Sequence, residues 1–148
     1  MQETLTALGA DALVDLESDH AAEALAATGA DVDVVLDYLW GEPASSVMRA
    51  VVPARRDDDR PLTWVQIGSV AGRESPIPSA ALRATRLAVV GSGQGSVPTR
   101  AIVAELEALA AVVATGRLVV SPRPVPLDDV ERAWSEGTAG SERLVVVP

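Results

Sequence analysis

Arg86-Leu-Ala-Val-Val-Gly-Ser-Gly-Gln-Gly-Ser96 decides how this 148-residue chain is read. Leu87–Val90 is a short, uninterrupted apolar run with β-branched residues, the kind that suits a buried strand. The turn after it carries glycine at 91, 93 and 95, where a backbone can take positive φ or come close to a ligand. Ser96 or Thr99 then caps a helix from Thr99 to about Ala114. Its stripe is Ile102, Val103, Leu106, Leu109, Ala110 and Val113, with Glu105 and Glu107 outside. Strand, glycine turn and helix in this order form one unit of an alternating α/β fold.

The same grammar repeats towards the N-terminus. Leu62–Ile67 is a second strand, ending at Gly68-Ser69, followed by a loop over Val70–Ile77 and a short helix opened by Pro78-Ser79. Val32–Leu39 is a third, near-continuous apolar run interrupted by Asp33 and Asp37, as a sheet covered on both faces requires. Gly41 breaks it, and Glu42-Pro43 starts a helix to about Val51 with Val47, Ala50 and Val51 on one face. Ala12–Leu16 reads as a further short strand, and Ser18 or Asp19 as the cap of a helix over His20–Ala27 that Gly29 ends. Glu3–Leu8 looks like a helix end closed by Gly9.

Towards the C-terminus, Leu118–Val120 is a short strand candidate. Pro122, Pro124 and Pro126 forbid a helix and mark an extended crossing segment. Leu127–Glu136 reads as a helix with Asp128 and Asp129 in its first turn and Leu127, Val130 and Trp134 on one face. Gly137–Gly140 is a turn and Leu144–Val147 a terminal strand. The spacing predicts βαβ crossovers and a mostly parallel sheet with helices on both faces. Ligands of such sheets bind beyond the carboxyl ends of the strands, which here are Asp37–Gly41, Gly68–Gly72 and Gly91–Ser96.

Composition limits the function. Apolar residues make up 48% and the net charge is -9, which argues against a nucleic-acid backbone binder. There is no cysteine, and His20 is the one histidine, so Cys-based or His-rich metal sites in this chain are excluded. No apolar run has membrane-span length and the N-terminus has no signal-like core, so a cytoplasmic protein is expected. The run Arg55-Arg56-Asp57-Asp58-Asp59-Arg60 reads as a solvated loop, because neighbouring carboxylates do not converge on one ion by themselves.

Each candidate site has two readings. Gly91–Ser96 is either an anion-holding turn at a helix start or a plain strand-to-helix turn. It is not the dinucleotide fingerprint, and without any lysine in the chain it is not a P-loop. Asp37 and Tyr38 are either an acid and a phenol placed for proton chemistry, or a strand-end carboxylate bonded to nearby backbone. His20 reads as solvated, and Trp134 as core in preference to a ligand platform.

Five segments together resemble a known family: Leu8-Gly-Ala-Asp11 with Ala12-Leu-Val-Asp15, Val32-Asp-Val-Val-Leu-Asp37, Val65-Gln-Ile-Gly-Ser69, Leu87-Ala-Val-Val-Gly-Ser92 and Pro126-Leu-Asp-Asp-Val-Glu-Arg-Ala-Trp134. Their order and spacing resemble the medium-chain dehydrogenase/reductase superfamily, in its quinone oxidoreductase or zinc-binding alcohol dehydrogenase-like branch. The resemblance implies the C-terminal part only. Residues 1–117 would be a partial Rossmann domain (family strands 3 to 6), and residues 118–148 a return segment to a GroES-like catalytic domain. The family's first two strands, with the pyrophosphate turn, have no counterpart here, so the chain alone is expected to bind a dinucleotide weakly or not at all, and Val32–Leu39 to expose an apolar edge.

For the complete protein the resemblance implies NAD(P)H-dependent hydride transfer to a quinone, enone or carbonyl substrate. NADP is the favoured cofactor with NAD open, and no metal is held by this chain. Asp37, Tyr38, Ile67, Gly68, Ser69, Val90, Gly91 and Ser92 would lie against the cofactor. It further implies a homodimer through the Leu87–Val90 edge strand, with neither nucleic acid nor membrane as partner. The rival expectation is a non-catalytic remnant acting as a binding or oligomerisation module.

Overall fold

The computed structural model describes residues 2–116, 118, 122–136 and 143–148. The elements are α1 (Gln2–Ala7), α2 (Ala21–Gly29), β1 (Val34–Asp37), α3 (Gly41–Ala54), β2 (Leu62–Gln66), α4 (Ala81–Ala84), β3 (Leu87–Gly91), α5 (Thr99–Ala114), β4 (Pro122–Pro126), a 3-10 turn (Leu127–Asp129), α6 (Val130–Glu136) and β5 (Arg143–Val147). The architecture is α/β, with a parallel sheet and helices on both of its faces. The chain forms two compact units, Met1–Val103 and Ala104–Pro148. Among the described residues, no helix is long and apolar enough to cross a membrane.

The first unit is built on a three-stranded parallel sheet in the order β1-β2-β3. Val35, Trp64 and Val89 are register partners across the three strands, so their side chains share a face. The core lies on that face. Leu62 and Trp64 of β2 are 0% and 1% exposed and pack with Ala44, Met48 and Val52 of α3 and Ala81 of α4. Residues 44, 48 and 52 are four apart and form one helical stripe. This stripe, not Val47 with Ala50, is the deeply buried one, because Trp64 fills the space beneath it. Val51 turns towards α2, where a Cβ on Gly29 would lie 2.7 Å from Val51 Cγ2. Glycine thus lets the two helices approach.

Several expectations from sequence change. Ala12–Leu16 is not a strand: a strand exists through its partner, and no described segment pairs with this one. β1 is shorter than Val32–Leu39, and Val34 and Leu36 on it are 54% and 61% exposed, the open apolar edge anticipated for that strand. The helix α5 has the expected bounds, but Ile102, Val103, Leu106, Leu109 and Val113 are exposed; a periodic stripe defines a face without saying what covers it. The α2 helix begins one residue later than read. Ser18 Oγ accepts from the His20 N–H at 3.2 Å, and His20, the N-cap, makes no side-chain cap bond. Ser96 is not a cap either, since its hydroxyl is engaged with Gly93 inside the turn.

The charged loop is only partly solvated. Asp57, Asp58 and Asp59 are exposed, but Arg55 is buried and donates to Val32 O at 2.8 Å and Arg60 O at 2.9 Å. Arg56 pairs with Asp31 at 3.1 Å, and Arg60 Nε and Nη2 both bond the Asp33 carboxylate. The arginines fasten this loop to the amino end of β1. The bond from Arg60 holds the Asp33 carboxyl below the ordinary aspartate range, with the charge of the guanidinium adding to it.

In the second unit, β4 and β5 run parallel, so the proline segment is a strand and not merely a crossing. Successive residues of a strand aim their N–H groups at opposite flanks. Prolines at 122, 124 and 126 therefore strip the donors from one flank, leaving those of Arg123 and Val125 on the other. Leu127–Glu136 opens as a 3-10 turn and becomes α-helical only at Val130. That tighter start changes the phase of the helix. Ala133 is the buried residue, whereas Leu127 is 58% and Trp134 86% exposed, so Trp134 is not core. Of the short strand candidate Leu118–Val120, Leu118 is a bend; residues 119–120 and the turn at 137–140 lie outside the described residues.

Candidate functional site

The parallel register brings Asp37, Gln66 and Gly91 abreast at the carboxyl end of the sheet. The turns that follow are stitched together by backbone. Ile67 and Gly68 N–H donate to Asp37 O at 2.7 and 3.1 Å, Val70 N–H to Tyr38 O at 3.3 Å, and Ala71 N–H to Leu39 O at 2.9 Å; Ser92 N–H donates to Gln66 O at 2.8 Å. This closeness needs glycine at two places. A Cβ on Gly68 would stand 2.6 Å from Tyr38 O. Gly41 has φ +65°, and its Cβ would stand 2.9 Å from Ala71 O. Ser75 Oγ secures the second contact by donating to Gly41 O at 2.7 Å.

Of the residues expected at the site, the strand-end registers gather Asp37, Tyr38, Ile67, Gly68, Ser69, Val90, Gly91 and Ser92 around one end of the sheet. Their side chains diverge. Asp37 is 6% exposed. Its Oδ1 accepts from Leu39 N–H at 2.9 Å and Trp40 N–H at 2.8 Å, and its Oδ2 from Trp64 Nε1–H at 2.8 Å. All three donors belong to the turn or the core, so Asp37 is the strand-end carboxylate that shapes the turn. Tyr38 is 57% exposed and does not share that inward environment. Asp37 and Tyr38 are therefore not an acid–phenol pair.

Gly91, Gly93 and Gly95 have no neighbour within 4 Å of a would-be Cβ and none has positive φ. Their turn is closed by Ser96: Gly93 N–H donates to Ser96 Oγ at 2.8 Å, and that hydroxyl donates to Gly93 O at 3.2 Å. Here the glycines keep space open in front of β3, and no fold constraint demands them.

An open depression of about 530 Å³ lies at the ends of β2 and β3, lined by Trp40, Gln66, Ser69, Arg73, Val89, Val90 and Gly91. Sequence reasoning named Ser69, Val90 and Gly91 and missed Trp40, Gln66 and Arg73. The available signals were an aromatic residue directly before Gly41 and a cation just past the Gly68–Gly72 turn. Trp40 has φ 55° and ψ -157°, close to a region that glycine alone takes freely.

A family model described as zinc-binding dehydrogenase matches residues 8–143. A protein of Emericella nidulans named as an NADPH-dependent quinone reductase is 28% identical over 125 residues, which is 79% of this chain and 34% of that protein. The chain thus spans about a third of the length of the curated relative it matches. A crystal structure assigned as an alcohol dehydrogenase of Sinorhizobium meliloti superposes with a TM-score of 0.70 at 24% identity, covering 99% of this chain and 38% of that one. CurA of Vibrio vulnificus, solved with NADPH, superposes with a TM-score of 0.66 at 18% identity, covering 98% and 45%. The matched model's description mentions zinc. Among the described residues no three of His, Cys, Asp and Glu converge, and His20 is exposed beside Glu23, with Nδ1 3.6 Å from Oε2. These residues do not fit a zinc site.

Proposed function

The chain belongs to the zinc-binding dehydrogenases of the medium-chain dehydrogenase/reductase superfamily, and on that premise we propose that it forms the nucleotide-facing C-terminal part of an NADP-dependent oxidoreductase. The reaction is hydride transfer between the nicotinamide and a quinone, enone or carbonyl substrate, and NAD is the second choice of cofactor. The observation that carries this reading is the cradle of bare backbone at the carboxyl ends of β1, β2 and β3, placed where parallel α/β sheets bind ligands.

When bound, the cofactor supplies or accepts the hydride. The chain's own contribution is position. Ile67, Gly68, Ser69, Val90, Gly91 and Ser92 offer backbone groups and little bulk. Tyr38 stands at the same rim, and Asp37 holds the β1 turn in shape. In this proposal residues 1–117 make the partial Rossmann domain and residues 118–148 the return segment. The protein works in the cytoplasm. It dimerises through Leu87–Val90, a reading supported by the position of β3 at an edge of its sheet.

The test is purification of the native product that contains this sequence from its source cells, followed by loss of NADPH absorbance with quinones, enones and aldehydes. Turnover with at least one class is expected, and NADPH should quench tryptophan emission. The second reading, a binding or oligomerisation module without catalysis, is favoured by the exposed Val34 and Leu36 of β1. A stable oligomer that neither binds nor oxidises NADPH would decide for it.

A further inference from the structure

We propose that Gln66 is a positioning residue of the cradle: its side-chain amide holds the Gly68 carbonyl, so that the next N–H, that of Ser69, stands as a preset hydrogen-bond donor for an acceptor group of the cofactor. The proposal rests on the oxidoreductase reading for the identity of that acceptor. The setting of the donor does not depend on it.

The first observation is a pattern of donors. Four backbone N–H groups of the turn after β2 are given to the β1 turn: Ile67 and Gly68 donate to Asp37 O, Val70 to Tyr38 O and Ala71 to Leu39 O. Ser69 N–H, in the middle of this run, has no acceptor among the described residues. Ser69 is exposed, and its own carbonyl accepts Gly72 N–H at 3.3 Å. The turn thus satisfies its donors on both sides of a single N–H and leaves that one open.

The second observation is the side chain that fixes this N–H. Leu62, Trp64 and Gln66 alternate along β2 onto one face. The first two are buried in the core, and an apolar side chain would suit the third. Gln66 is instead half-buried at the rim, and its Nε2 donates to Gly68 O at 2.9 Å. Its backbone carbonyl accepts Ser92 N–H at 2.8 Å, so one residue fastens the ends of β2 and β3 that form the cradle. Gly68 O and Ser69 N–H belong to one trans peptide unit, in which the two point in opposite directions. Holding the carbonyl towards Gln66 aims the N–H the other way. The hold matters because Gly68 has no Cβ to limit rotation of this peptide, and the bonds from Gly68 N–H and Val70 N–H anchor the chain only on either side of it. A donor fixed before the ligand arrives needs no ordering when it binds.

The experiment begins with nitrogen-15 relaxation of the 148-residue chain without ligand. The Ser69 amide should show the order of rigid backbone, an order parameter of about 0.85, although it is exposed and unbonded. Gln66→Met keeps a long unbranched side chain but has no donor. It should lower the Ser69 value to about 0.6 or below, with Ile67 and Ala71 unchanged. Gln66→Leu is the second variant, and the Ile67 and Ala71 amides in the same spectra report whether the turn has kept its fold. In the native product that contains this sequence, Gln66→Met should raise the NADPH dissociation constant, read by tryptophan quenching, about threefold to tenfold, one hydrogen bond's worth. The KM of the organic substrate should not move. A glutamine that serves stability alone would lower the melting temperature and leave both the Ser69 order and this split untouched.

A Ser69 order parameter below about 0.6 in the wild-type chain overturns the proposal by itself. An unchanged value in both variants overturns it too, and so does lost order with unchanged NADPH affinity. A native product that ignores NADPH refutes the oxidoreductase reading; the Ser69 order parameter still decides whether Gln66 sets the donor.

Discussion

Replacing Asp37 by Asn changes one atom in the buried turn that shapes the site. The carboxylate is 6% exposed and accepts from Leu39 N–H, Trp40 N–H and Trp64 Nε1–H. Asparagine has one acceptor oxygen. If it faces the two backbone donors, its amide N–H₂ meets the indole N–H of Trp64, a side chain only 1% exposed. If it flips, two backbone donors are orphaned instead, which costs more. The first arrangement therefore sets the magnitude. Loss of a charge-assisted bond is worth about 1.5–3 kcal/mol, and an orphaned buried donor about 1–3 kcal/mol. The two overlap, giving a destabilisation of about 2–4 kcal/mol. At roughly 4–8 °C per kcal/mol for a unit of about 100 residues, Tm falls by about 8–32 °C. Urea unfolding followed by near-ultraviolet circular dichroism reads the change. In a Trp64→Phe background there is no indole N–H to orphan, so the cost of Asp37→Asn should shrink by about 1–2 kcal/mol. A cost below about 0.5 kcal/mol, or an equal cost in both backgrounds, would refute the account of Asp37 as the organiser of the turn.

Gly68→Ala should destabilise by about 1–3 kcal/mol in the same urea assay, because its Cβ meets Tyr38 backbone that cannot swing aside; wild-type stability would mean that the two turns are not pressed together. Asp33 is held below its unfolded-state range by Arg60, so its contribution is complete above the ordinary aspartate pKa and is lost as pH falls through the lower folded value. Wild-type protein should thus lose more stability than Asp33→Asn between about pH 5 and 3, and parallel slopes would remove this pair from the acid response. Leu36→Lys, at a position 61% exposed, should shift stability by less than about 0.5 kcal/mol while reducing self-association in sedimentation velocity, since a charge on an open strand discourages edge pairing.

The strands of the first unit were legible because each is a local signal. Leu62–Gln66 and Leu87–Gly91 are apolar runs ended by glycine-bearing turns, and the chain needs no distant information to extend them. Ala12–Leu16 carries the same kind of signal and is not a strand, because pairing depends on a neighbour that the run does not encode. The stripe of α5 and the face Leu127, Val130, Trp134 of the last helix show the same limit. Periodicity orders side chains around an axis, and burial is decided by whatever stands opposite. At the site, the glycines and strand ends could be read, whereas the inward turn of Asp37 could not, because Trp64 lies 27 positions away. Trp40 was not read as a site residue for a different reason. Its backbone angle opposes the preference of its residue type, so propensity points away from it.

The prolines of β4 limit how the second unit can grow. A ladder extends when each new strand finds donors and acceptors together. On its proline flank β4 offers carbonyls without N–H groups, so a strand laid there would have its acceptors unanswered at every second residue. β4 acts on a growing sheet as a chain terminator acts on a polymer: it joins, and nothing joins after it. β5, Arg143–Val147, contains no proline and keeps a donor at every residue. Growth of this sheet therefore has a direction written in covalent chemistry, independent of side-chain packing, and runs from β4 through β5 and outward.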